Sequence, residues 1–200
     1  MTMEIWDDKS RDELRERLSS AILGELRLAR FDPQGVLEHS RDVWMQDVCP
    51  LDEWDEFLQF TKEQVDRLAA EVSAEMFSWP EETDCDRLDR VERVLRERDI
   101  LLWQASPCCN SCTGAELPDR IDLIDQRCPG FRDRVRGYSF FIDQNLPEHL
   151  AESRNLSDYL TYGWFAPDDT QPDPEVYQRE ALIIAHEVAE CLRSEGFEVD

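Results

Sequence analysis

The spacing of apolar residues changes once along this chain, and the change bounds what it can fold into. Up to Leu95 the apolar residues recur at helical intervals, whereas from Ile100 they gather into short continuous runs of strand length. A chain that opens with helices, turns to strands and closes on a helix reads as α+β. The expected organisation is a helical region over 1–80 and an α+β domain over 81–200. The helical half should pack on a small, mostly antiparallel sheet with two backing helices.

Within the first half, Ser10-Arg11-Asp12-Glu13 reads as a capping box ahead of Leu14, Leu18, Ala21, Ile22 and Leu26. Asp32-Pro33 marks a second start, and Cys49-Pro50 ends that helix. The longest helix is expected over 51–77, where Leu51, Trp54, Leu58, Val65, Leu68, Val72 and Met76 form one stripe. Such a stripe belongs in a core, here against the first helix and the helix after Thr83. Thr83-Asp84-Cys85-Asp86 caps that next helix, whose face is Leu88, Val91, Val94 and Leu95.

In the second half, strands are expected at Ile100–Ala105, Gly137–Asp143 and Ser157–Phe165. Asp173-Pro174-Glu175 opens the last helix and Gly196 stops it. Phe197-Glu198-Val199 then reads as the start of a further strand, which suggests a chain cut within it.

The balance of 46 acidic against 22 basic residues gives a net charge of −24. A surface of that sign repels nucleic acid and anionic membranes, which argues against direct binding to either. A content of 41% hydrophobic and 10% aromatic residues suits a packed core rather than a disordered chain. The apolar runs Ile100–Trp103 and Ala181–Ala185 fall far short of the roughly 20 residues of a membrane span. Met1 to Asp8 carries neither a basic nor an apolar leader region, so the expected location is cytoplasmic. The acidity itself admits three readings: solubility, adaptation to high salt in a chain whose only lysines are Lys9 and Lys62, or imitation of DNA.

Seven cysteines, an odd count with no export signal, do not suggest a disulfide framework. Isolated Cys49 and Cys191 read as buried thiols. Cys108-Cys109-Asn110-Ser111-Cys112 is the strongest local signal, because thiolates at C-x-x-C spacing reach one tetrahedral zinc ion from a tight turn. Cys109 and Cys112, with Cys108, are the candidate ligands; Cys85, Cys128 or His149 would have to complete the set. A redox dithiol requires the pair at the start of a helix that follows a strand. Ser106-Pro107 precedes and Thr113-Gly114 follows without helical periodicity, so the stretch reads instead as a turn of small thiols. His186-Glu187 lacks a second histidine four residues on, so the metalloprotease pattern fails, and His39 carries no signal. The carboxylates are too many to point anywhere, and the seven glycines build no phosphate loop.

Trp79-Pro80, Thr83-Asp84-Cys85-Asp86-Arg87-Leu88, Cys108-Cys109-x-x-Cys112, Gly137-Tyr138-x-Phe140-Phe141 and Leu160-x-Tyr162-Gly163 occur in that order. In combination they resemble a bacterial family of uncharacterised proteins, a domain of unknown function, from about residue 79 to the end. The resemblance implies a pattern running past Asp200 into a Trp-containing strand. It also implies a His-Gln-Asp-like segment after the paired phenylalanines, where this chain has Ile142-Asp143-Gln144-Asn145. It brings no activity with it. The reading from the residues is a non-enzymatic module that meets a protein partner. The alternatives are a zinc- or thiol-dependent enzyme at the cysteine turn and an acidic inhibitor that mimics nucleic acid.

Overall fold

A computed structural model describes residues 6–29, 31–46, 48–106, 109–143, 146–153, 158–167 and 172–200. They form two compact units, divided between Trp79 and Pro80. One helix from the later sequence, α7 (Leu146–Glu152), belongs to the first unit.

The helical unit is built on α1 (Asp8–Leu28), α2 (Pro33–His39) and α3 (Trp54–Met76). α2 runs on into a π-helical turn, Ser40–Met45. The cap of α1 is Asp7, which accepts from the Ser10 N–H; Ser10 is inside the helix and the expected capping box is absent. An aspartate at N-cap outcompetes the serine because its charge also complements the helix N-terminus. Asp32 caps α2 as expected, accepting from the Gly35 N–H at 2.8 Å. The core gathers Leu14, Leu18 and Ile22 of α1 with Val65, Leu68 and Val72 of α3. Trp54 and Leu58 are only partly buried against it, while Phe57 and Thr61 take the innermost places. Leu51 and Met76, the ends of the expected stripe, are exposed. The helix after Thr83 has its own core in the second unit.

α7 lies along α1 at Gly24, where a Cβ would run into the Pro147 carbonyl. Arg27 donates to the Leu150 carbonyl at 2.6 Å, satisfying a group the helix end leaves unpaired.

The second unit runs α4 (Asp84–Glu97), β1 (Ile100–Ser106), α5 (Asn110–Asp125), α6 (Phe131–Arg134), β2 (Gly137–Ile142), β3 (Thr161–Trp164) and α8 (Pro174–Ser194). The fold class is α+β, as expected. The sheet is mixed: β2 pairs with β3 antiparallel and with β1 parallel, in the order β1-β2-β3. The parallel pair follows from the helices α5 and α6, which carry the chain back between β1 and β2. Those two helices occupy sequence in which no regular structure was expected.

Helices cover both faces of the sheet. Ile100 and Leu102 pack with Val91 and Leu95 of α4 and Ile184 and Val188 of α8. Leu101 and Phe140 pack with Leu117, Ile121 and Ile124 of α5. This two-sided burial is why β1 reads as an unbroken apolar run instead of alternating. Thr83 and Asp86 cap α4 reciprocally, as the sequence signalled.

Two strand expectations change. β3 is shorter than Ser157–Phe165, and Ser157 lies outside the described residues. Phe197–Val199 is not a strand. The Phe197 N–H bonds back to the Leu192 carbonyl and the Gly196 N–H to Arg193, with Gly196 at φ +83°. This is the Schellman ending of α8, and it uses Phe197 as the apolar residue closing on the helix.

Candidate functional site

The Cys109–Cys112 pair sits at the junction of β1 and α5. β1 breaks register between Trp103 and Ser106, and Ala105 is left-handed at φ +46°. A bulge of this kind turns the following side chain out of the strand's alternation. Ser106 consequently points at α5, where its hydroxyl meets that of Thr113 at 2.6 Å, both residues fully buried. The Thr113 N–H donates to the Cys109 carbonyl at 2.9 Å. Cys109 is thereby the N-cap of α5, and Cys112 stands three residues on, in its first turn. The two side chains share one end of one helix, and both are exposed.

The buried stripe of α5 is Thr113, Leu117, Ile121 and Ile124, a helical spacing not expected from the sequence. Asn110, Ser111, Gly114 and Pro118 obscured it, because each is a poor helix former. Pro118 lacks the N–H that would reach Gly114, and the pattern breaks where the eye would look for it.

The electrostatics of this helix end differ from those of its neighbours. α1, α3, α4 and α8 each carry an acidic residue in the first turn. α5 has no acid there and no side chain bonded as its cap. Its first turn carries a cysteine where those helices carry a carboxylate, at the positive end of the helix dipole. Helix N-termini favour the thiolate form. Exposed Glu116, one turn beyond Cys112, opposes that effect, and it acts more on Cys112 than on Cys109.

The other sulfurs have different surroundings. Cys49 and Cys191 are buried, in keeping with the expectation for both. Burial, then the acids Glu53, Asp52 and Glu56, pushes the Cys49 thiol up to about 11. Burial likewise raises Cys191. Cys85 lies one turn before Asp89, whose carboxylate accepts from Gln104 of β1 at 3.1 Å. Desolvation, followed by Asp89, Asp86 and Asp84, raises that thiol although its residue is largely exposed.

As for a zinc ligand set, Cys109 and Cys112 come together at one helix end. Cys128 follows the far end of α5, roughly 24 Å along the axis from Cys109 at 1.5 Å per residue. His149 is on α7 in the helical unit. Cys108 lies outside the described residues. Among the described residues no three His, Cys, Asp or Glu side chains converge on one point. His186 is exposed on α8, and His39, which carried no signal in sequence, faces the buried Glu25 carboxylate at 3.1 Å.

Fold and site together describe an α+β protein presenting an exposed C-x-x-C pair at a strand-to-helix junction. The chain belongs to the family described as a domain of unknown function (DUF6891), whose model matches residues 11–200. The match takes in most of the helical half, beyond the stretch from residue 79 that carried the resemblance. No curated protein and no solved structure matches the chain. No helix among the described residues is long and apolar enough to cross a membrane.

Proposed function

We propose that the Cys109–Cys112 pair is a redox dithiol that exchanges with disulfides. The observation that carries this reading is the N-terminus of α5, whose first turn holds no acid and which has one cysteine as its cap and the other in that turn. Cys109 attacks one sulfur of a substrate disulfide as the thiolate, forming a mixed disulfide and releasing the other sulfur as a thiolate. Cys112 loses its proton and attacks the Cys109 sulfur. A Cys109–Cys112 disulfide forms, and the substrate leaves as a dithiol holding the two electrons. A low-molecular-weight thiol returns the pair to the reduced state. Cys109 has the nucleophile's role because it caps the helix, and Cys112 resolves.

The zinc reading has less support, since the described surroundings offer the ion two sulfurs and no third ligand. The test is a trap. In Cys112→Ser the mixed disulfide has no resolving thiol, so incubation with oxidised glutathione should leave one glutathione on Cys109, located by peptide mass spectrometry. The intact protein should convert the same adduct to the internal disulfide. Equal labelling of Cys85 and Cys109, or no internal disulfide in the intact chain, would count against the proposal.

A further inference from the structure

The surface around the pair restricts what can reach it. We infer that the dithiol's substrate is a protein disulfide borne on a net-positive, extended polypeptide segment, an inference that rests on the redox reading above.

The site is open. Asn110, Ser111, Gly114 and Ala115 surround the two cysteines, all exposed, and a Cβ added at Gly114 would meet nothing within 4 Å. An uncharged collar of small side chains lets a backbone approach both sulfurs, and among the described residues no wall stands to hold a small disulfide. Two concavities of the helical unit lie around Leu37 and Leu58 and around Phe57 and Phe60.

An exposed aromatic residue lies two positions along the chain from a residue bonded to the collar. The Thr161 hydroxyl, at the start of β3, donates to the Asn110 side-chain oxygen at 3.5 Å. Tyr159 is two residues earlier, hence within about 7 Å of Thr161 along the chain. Its side chain is 94% exposed. A tyrosine so placed offers a large rigid contact at little entropic cost, which is the usual make-up of a protein-binding anchor.

Charge selects the partner. Glu116 and Asp119 are exposed on α5 just past the cysteines, and Asp158 is exposed next to Tyr159. None of the three forms an ion pair within the described residues, although the carboxylates of Glu71, Glu92 and Glu187 are matched by arginines. Unmatched acids around an uncharged collar attract a cationic segment, and the net charge of −24 steers it in from a distance.

The experiment uses the reduced full chain with three probes: a peptide closed by a disulfide and flanked by arginines, the same peptide flanked by glutamates, and neutral hydroxyethyl disulfide. The arginine peptide should be reduced about 10-fold faster than the glutamate peptide at low salt, and the gap should close by about 0.5 M salt. Tyr159→Ala should slow the arginine peptide several-fold and leave hydroxyethyl disulfide unchanged; at so exposed a position the variant does not threaten folding. Equal rates for the two peptides, or a Tyr159→Ala protein that treats all three probes as before, would overturn the docking inference while hydroxyethyl disulfide turnover upholds the dithiol. Failure to reduce any of the three would overturn both.

Discussion

The hydroxyls of Ser106 and Thr113 face each other at 2.6 Å, each fully buried, and so tie the end of β1 to the first turn of α5. This contact helps to place the two cysteines, which stand at the start of that helix. Ser106 also accepts, through its carbonyl, from the Asp143 N–H at 2.9 Å, so β2 is held to the same point. Removing the Thr113 hydroxyl takes from the buried Ser106 hydroxyl the partner it meets there.

Thr113→Val keeps the shape and removes the hydroxyl. It should destabilise the protein by about 1–3 kcal/mol, the cost of a buried polar group left without its partner. Urea unfolding would measure it. Replacing both residues at once, Ser106→Ala with Thr113→Val, should cost less than the sum of the two single changes.

Gly24→Ala tests the seat of α7 on α1. The added methyl meets the Pro147 carbonyl, a backbone group that cannot swing aside. Although alanine is the better helix former, the change should destabilise by about 1–3 kcal/mol through overpacking. A thermal melt no lower than that of the parent would show that α7 does not lie as described.

The thiols should separate by rate of alkylation. At pH 7 iodoacetamide should label Cys109 first, with Cys85 slower and Cys49 and Cys191 reacting only on unfolding. Cys49 is held at about 11 by burial, then Glu53, Asp52 and Glu56, so it stays protonated well above neutrality. The sign for stability follows. The unfolded thiol ionises near pH 9 and the folded one does not, so Cys49 makes the protein lose stability as pH rises from about 9 to 11. Cys49→Ala should flatten that alkaline loss in denaturant titrations at pH 8 and 10.5.

The cap of α4 works in the opposite range. Hydrogen bonds from the Thr83 hydroxyl and backbone hold the Asp86 carboxyl below its ordinary value. A depressed carboxyl contributes stability above its unfolded pKa and loses it as pH falls through the folded one. Thr83→Ala should therefore lower stability at pH 7 and narrow the difference from the parent at pH 3, as denaturant titrations at the two pH values would show.

Local chemistry determined much of this molecule in advance. The helical front half, β1, β2 and the limits of α8 follow from apolar spacing, from Asp32 and Thr83 as caps, and from Gly196 as a stop. These signals act within a few residues and need no partner to be read. The tertiary structure alone decided what Asn110 to Asp125 became. Their intrinsic preference is weak, with Gly114 and Pro118 against a helix, and the stripe from Thr113 to Ile124 becomes helical because β1 and β2 offer it an apolar face to cover. The direction of β2 was decided the same way, since a helix between two strands returns the chain parallel. The cysteines were visible in the sequence from the start. Their place at a helix N-terminus was not, because it depends on a bulge at Ala105 and a buried hydroxyl pair that only the folded chain brings together.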